Sequence, residues 1–168
     1  MLTQIYKLAA QHLTIVNLVM FQSVWWMSIL YQNRFISLSF ALLLIHFMLS
    51  SRRQSDLALM FTVTAVGAVI DPLLIYVGVF VFSEPPYWLL LLWCHFAISL
   101  RYSMGFTQKL PWYTNAIIGG VFGCLSYLAG ARFNVVHLPL AYFTSVMILF
   151  AIWFVIFPMF VTASRRIH

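Results

Sequence analysis

The sequence predicts an all-α membrane protein, a bundle of about six transmembrane helices with both ends on the same side. Three observations support this: 64% of the 168 residues are hydrophobic, only 7% are charged, and the apolar residues form long runs with short polar breaks. Ordinary soluble domains carry roughly 25% charged residues, so a soluble fold could not hide this much apolar surface. A helix needs about 20 residues to cross the hydrocarbon layer. Six such helices leave only short connections, so we expect a single integral membrane domain over 1–168.

The first two predicted helices lie near 13–31 and 35–50, on either side of a polar break at 32–34. Asn17 and Gln22 interrupt the first run, and no small-residue cleavage site follows it. We therefore predict a retained helix rather than a signal peptide. The second run is the shortest, and the two could form a tight hairpin.

The remaining helices are separated by charged residues and proline. The third is predicted near 57–82, after a break that contains Arg52 and Arg53. Glu84 and two prolines divide it from the fourth, because proline resists helix continuation. The last three helices are predicted near 86–104, 112–131 and 138–161.

The distribution of basic residues predicts the orientation of the bundle. Alternating helices place most of the cations on one side: Lys7, Arg52, Arg53, Arg101, Lys109, Arg165 and Arg166. Only Arg34 and Arg132 fall on the other side. The positive-inside rule then puts both termini in the cytoplasm. Because the net charge of +6 has this source, we expect no nucleic-acid partner.

The arginines at the predicted interfaces are interpreted as topology anchors or as contacts for lipid headgroups. This set comprises Arg52, Arg53, Arg101, Arg132, Arg165 and Arg166. Arg101 lies near the end of the fourth helix, where its side chain can extend to the interface. A contact between Arg101 and a headgroup or carboxylate is the alternative.

Asp71 is the most informative position, because a carboxylate near the middle of a membrane helix costs about 2.5–3.5 kcal/mol. It could bind a proton or orient a substrate, or it could be a hydrogen-bonded residue that fixes helix packing. His46 and His95 lie in neighbouring helices and could reach its level. We therefore predict a buried polar candidate site formed by Gln22, His46, Asp71 and His95.

No metal motif is predicted, since no two of these residues share a helix at i, i+3 or i, i+4. The histidines are more typical of hydrogen-bonded core residues than of ligands. The sequence lacks a phosphate-binding glycine loop, a Cys-x-x-Cys pair and a di-iron histidine box. ATP-driven and di-iron chemistry are therefore disfavoured, and the cofactor, if one is used, is unknown from the sequence.

Small residues at helical spacing mark the fifth predicted helix. They are Ala116, Gly119, Gly120, Gly123 and Cys124. Small side chains permit close approach of helix backbones in lipid, where hydrophobic drive between helices is weak. We expect packing within the chain, with a homodimer contact or a ligand-lining wall as alternatives.

Several motifs together carry a resemblance to a known family. They are Phe21-Gln22 with Trp25-Trp26, Arg52-Arg53, Asp71, Leu92-Trp93 with Phe96-Ala97, and the run from Leu125 to Arg132. They resemble a family of small bacterial inner-membrane proteins known only as a domain of unknown function, although Cys124 stands where that pattern has proline. Members look to be encoded beside enzymes similar to cyclopropane-fatty-acid synthases and flavin oxidoreductases. The resemblance implies a bacterial inner-membrane location and a role near acyl-chain modification.

Three hypotheses of function remain open at this point. The first is a lipid- or acyl-chain-binding accessory of membrane lipid modification, with membrane lipids and lipid-modifying enzymes as partners. The second is a small proton-coupled transporter in which Asp71 titrates. The third is a membrane enzyme that uses His46, Asp71 and His95.

Overall fold

The protein is described by a computed structural model that covers Gln4, Leu8 and residues 12–167. Between residues 12 and 167 the chain forms six α-helices, because a helix satisfies its own backbone hydrogen bonds in an apolar setting. We number them α1 Leu13–Tyr31, α2 Ile36–Leu49, α3 Arg53–Tyr76, α4 Tyr87–Ser99, α5 Trp112–Arg132 and α6 Tyr142–Arg166. Short 3-10 helices lie at Gln32–Phe35 and Gly105–Lys109.

Four apolar segments are long enough to cross a membrane, by length and composition. They are Leu13–Leu49, which contains α1 and α2, and then α3, α5 and α6. The all-helical fold class is therefore confirmed, with four candidate spans rather than about six. Helix α4 has 13 residues. At 1.5 Å per residue it is about 20 Å long, too short for a hydrocarbon layer of about 30 Å.

Two predicted helix ends were wrong for identifiable reasons. The third helix was expected to reach residue 82 but ends at Tyr76. Gly78 follows with a φ of 73°, a conformation that glycine adopts readily, and the Val79 N–H donates to the Leu74 carbonyl. These features form a glycine-based helix stop. The fourth helix was expected to reach 104 but ends at Ser99, whose hydroxyl donates to the Phe96 carbonyl.

The other differences in length are modest. Helix α3 starts at Arg53 rather than 57, and α2 runs from Ile36 to Leu49 against the predicted 35–50. Helix α6 covers 142–166 rather than 138–161, so its C-terminal half continues past Pro158 to the paired arginines. The first turn of α3 and the last turn of α6 contain charged residues. A search for apolar runs leaves such residues out, so it places these helix ends too far inside.

Hydrogen bonds and ring contacts show which ends of the helices meet. The Ser103 hydroxyl donates to Asn17 Oδ1 near the start of α1 at 2.7 Å, and the ring of Tyr102 lies 5.0 Å from that of His46 near the end of α2. Helices α1 and α2 therefore form a hairpin. At its turn, the Asn33 amide donates to the Pro85 carbonyl at 3.0 Å. We call the end formed by residues 50–56, 100–110 and 164–167 the basic end.

The core is built around two stacked indole rings. The rings of Trp93 in α4 and Trp153 in α6 lie 5.5 Å apart and within 2° of parallel. Glycines make room on both outer faces: a Cβ on Gly67 in α3 would lie 2.3 Å from Trp93, and one on Gly123 in α5 would lie 2.2 Å from Trp153. This layer therefore joins four helices.

The small-residue face of α5 packs against α6. A Cβ on Gly119 would lie 2.2 Å from Phe157, and one on Gly120 would lie 2.7 Å from Phe150. Ala116 and Cys124, on the same helix, are also buried. Gly119 and Gly120 therefore pack against α6 of the same chain.

Candidate functional site

Asp71 lies in α3 and is buried behind the stacked indoles. The Trp93 indole N–H donates to Asp71 Oδ2 and the Tyr127 hydroxyl donates to Asp71 Oδ1, each at 2.6 Å. Gly67 stands one turn before Asp71 and accommodates the same Trp93 ring. Both carboxylate oxygens therefore hold side chains from other helices, α4 and α5.

The two histidines of the predicted site have other partners. A ring nitrogen of His95, Nε2, lies 3.0 Å from the Ser39 carbonyl oxygen, which joins α4 to α2. His46 Nε2 lies 3.2 Å from Asp56 Oδ2. Hydrogen bonding therefore divides the predicted polar site among separate places: Asp71 with its two donors, His95 with Ser39, and His46 with Asp56.

Asp56, which the sequence interpretation did not single out, is the most connected polar residue at the basic end. It accepts from the Ser50 hydroxyl at 2.6 Å, from Tyr102 at 2.8 Å and from Arg101 Nη1 at 2.8 Å. Burial raises the pKa of Tyr102 to about 12, so its hydroxyl keeps the proton that it donates. Asp56 is 1% exposed, and the arginine compensates its charge.

Arg101 therefore makes the carboxylate contact that the sequence left as the alternative. Its second guanidinium nitrogen, Nη2, donates to the Ile167 carbonyl, just past the end of α6. Asp56 lies in the first turn of α3 and Arg101 follows α4, so the contacts of Arg101 join three chain segments. One cue was available in the sequence: Asp56 is one of only three acidic residues.

The other predicted anchors lie at the surface. Arg52, Arg132 and Arg166 are exposed. Arg53 donates to the Met48 carbonyl near the end of α2, and Arg165 donates to the Leu110 carbonyl at 2.8 Å. Basic side chains commonly bind free carbonyls at helix ends in this way. Lys7 lies outside the described residues.

Within residues 12–167, no group of three or more His, Cys, Asp or Glu side chains is placed to hold a metal ion. His46 Nδ1 is buried and has no hydrogen-bond partner among the described atoms. One unpaired nitrogen does not make a coordination site, since structural zinc takes four ligands and catalytic zinc three.

A long groove lies between α1 and α5, with a volume of about 580 Å³. Its floor contains Trp93 and Phe96 of α4 with Trp153 of α6. Phe122 lines the groove and is 67% exposed, so the groove reaches the lateral surface of the bundle. Along α5 the lining extends from Ile118 to Gly130, or about 18 Å at 1.5 Å per residue.

Aromatic side chains dominate the groove. They supply 11 of its 26 lining residues, against 18% of the whole sequence. Tyr127 and Trp93, the two donors to Asp71, both line the groove. Asp71 thus lies behind the groove, and its hydrogen bonds hold two of the side chains that line it.

Gln22, Trp25 and Ser126 are among the groove-lining residues with polar side-chain atoms. The Trp25 indole N–H donates to Ser126 Oγ at 3.1 Å, which connects α1 to α5. Gln22 is one turn before Trp25 and also lines the groove. In the part of the chain that the structure describes, the Gln22 side chain makes no hydrogen bond. Of the predicted polar residues, Gln22 is therefore the one that faces the groove.

The groove and the Asp56 cluster could not be predicted from apolar runs. A groove depends on how far apart two helices stand, which the pattern along one helix does not contain. The aromatic motifs did supply a signal, because Phe21, Trp25, Trp93 and Phe96 all belong to the lining. From the sequence they were interpreted as family markers rather than as one surface.

Comparison with known proteins identifies the family. A family model described as "Protein of unknown function (DUF2878)" matches residues 14–159. No curated protein and no solved structure matches the chain. The matched range contains the groove, the indole stack and the Asp56 cluster. Since it spans most of the 168 residues, the chain belongs to the DUF2878 family of proteins of unknown function.

Proposed function

We propose that this protein is a multi-pass membrane protein that binds the hydrocarbon part of a lipid in the groove between α1 and α5. The observation that carries the proposal is the groove itself, about 580 Å³ in volume and lined mainly by apolar and aromatic side chains. Ligand pockets for small molecules typically measure about 300–1,000 Å³ and are lined in this way.

The position of the groove indicates where its ligand comes from. Helix α5 is one of the candidate spans and α1 belongs to another. A groove that opens between two such helices faces the hydrocarbon layer, so lipid chains are the molecules that meet it at high concentration. Dispersion contacts along about 18 Å of helix favour a long, thin occupant.

The proposal includes the orientation of the bundle. The basic end carries Arg52, Arg53, Arg101, Lys109, Arg165 and Arg166. Under the positive-inside rule this end faces the cytoplasm of a bacterial inner membrane, and both termini lie on that side. We propose six membrane-embedded helices, in which the short α4 is enclosed by its neighbours; seven of its 13 residues are buried.

The test is analysis of lipid that co-purifies with the protein. Ala129 lines the groove, and Ala129→Phe should fill part of it. The wild type is expected to retain a stoichiometric apolar molecule after mild detergent extraction, detected by native mass spectrometry, and Ala129→Phe is expected to lose it. Ala68→Phe is the matched control, because Ala68 is an exposed helical alanine that does not line the groove. Equal retention by both variants would refute the proposed site.

The cellular role that we propose is that of an accessory to membrane lipid modification. A protein that holds one lipid chain out of the bulk bilayer can present it to a lipid-modifying enzyme. Lipid analysis of a deletion strain under membrane stress should then show altered acyl composition, which wild-type protein restores and Ala129→Phe does not. An unchanged composition would remove this role while leaving the binding proposal to its own test.

A further inference from the structure

The groove contains two features that a plain hydrocarbon chain would not need. Aromatic rings supply 11 of its 26 lining residues, including Trp93, Phe96 and Trp153 on the floor. Rings of this kind interact best with another flat π-system, in offset stacks or edge-to-face contacts. A saturated chain gains nothing from that geometry beyond ordinary apolar contact.

The second feature is the presence of two polar side chains in the lining, Gln22 on α1 and Ser126 on α5. Gln22 has no hydrogen-bond partner in the described residues, and Ser126 accepts from Trp25, which leaves its own O–H to donate. Gln22 is exposed and is the tenth residue of α1, so in the proposed membrane placement it lies away from the water at the helix ends. Polar groups without partners are costly in an apolar environment. A bound ligand with an oxygen acceptor would satisfy both donors.

From these observations we propose that the preferred ligand is a membrane quinone or a similar flat ring ketone with an apolar tail. The ring lies against the aromatic floor, a ring carbonyl accepts from the Gln22 amide and the Ser126 hydroxyl, and the tail follows the groove along α5. This inference rests on the proposed function, since it names the ligand class of the same groove. The step is binding only, and no electron transfer is included.

The geometry of Trp25 supports this placement. Its indole N–H donates to Ser126 Oγ from the opposite wall. The serine oxygen is therefore the acceptor in this bond, and the serine O–H remains available to donate to a ligand. Trp25 and Gln22 stand three residues apart, on one side of α1, and both line the groove. The polar pair therefore belongs to two walls, which can both contact a ligand between them.

The test compares probes that differ in one property, using the full chain in detergent micelles and calorimetric titration. Decyl-substituted benzoquinone carries the ring, the carbonyls and a tail; decylbenzene lacks the carbonyls; decanoic acid lacks the ring. We expect the quinone to bind most tightly. Gln22→Leu and Ser126→Ala should each weaken its binding by about 2- to 10-fold, the effect of one hydrogen bond, and leave decylbenzene binding unchanged.

Two control variants change the same residue types outside the groove. Gln54→Leu and Ser23→Ala replace exposed residues that do not line it, and neither should alter quinone binding. If decylbenzene or decanoic acid binds as tightly as the quinone, or if Gln22→Leu has no effect, the ligand class is wrong and the proposed lipid groove stands. If none of the three probes binds, and no apolar molecule co-purifies, both proposals are overturned.

Discussion

Replacing Asp71 with leucine distinguishes a carboxylate that fixes helix packing from one that carries protons. Its two oxygens accept from Trp93 and Tyr127, each at 2.6 Å. Hydrogen bonds between membrane helices contribute about 0.6 kcal/mol on average and up to about 1.7 kcal/mol. Two such bonds sum to about 1–3 kcal/mol, so Asp71→Leu should lower the free energy of unfolding by that amount.

Asp71→Asn should be measured beside Asp71→Leu, because it removes the charge but keeps hydrogen-bonding groups. Asparagine keeps one acceptor oxygen and can donate to Tyr127, so it should lose about half as much stability as leucine. The assay is reversible unfolding in mixed micelles, with the near-UV circular dichroism of the indole stack as a second signal. Glu84→Gln, at an exposed acid, is the control and should have no effect. If asparagine is as harmful as leucine, or neither changes stability, the packing role assigned to Asp71 is refuted.

Two further predictions follow from the packing and the basic end. Gly123→Ala should lower the free energy of unfolding by about 1–3 kcal/mol, because the added methyl overlaps the stacked Trp153 ring. Gly105→Ala is the control: no atom lies within 4 Å of the added methyl, so the free energy of unfolding should not change in the same assay. Arg101→Leu should cost about 3–5 kcal/mol by leaving Asp56 as a buried charge without its cation. The matched change at exposed Arg52 should cost far less, and equal losses at the two arginines would contradict the assigned ion pair.

The sequence predicted the elements of this fold better than their arrangement. Apolar runs between polar breaks located the six helices found between residues 12 and 167, because the length of an apolar run is a local property. The fourth run was over-extended, since residues 100–104 contain a single charge, at Arg101, and could continue a helix but turn instead. That turn brings Arg101 to Asp56, a contact between residues 45 apart.

The candidate site was predicted in part, and the reason is spatial. Asp71 and the small-residue face of α5 were identified because a charge or a glycine series in an apolar helix is conspicuous. Their partners were not, since Trp93 is 22 residues from Asp71 and Tyr127 is 56 residues from it. The sequence grouped polar residues by depth, whereas the folded chain pairs Asp71, His46 and His95 with different partners on neighbouring helices.

The proposed lipid-binding function requires that the groove between α1 and α5 be occupied. The most direct measurement is a cryo-electron microscopy map of the protein in lipid nanodiscs, with a rigid binding partner added for particle alignment. We predict elongated density between Phe122 and the Trp153 floor, ending in a broader feature beside Gln22 and Ser126. A groove closed by contact between α1 and α5, or one without density along its length, would contradict the central claim.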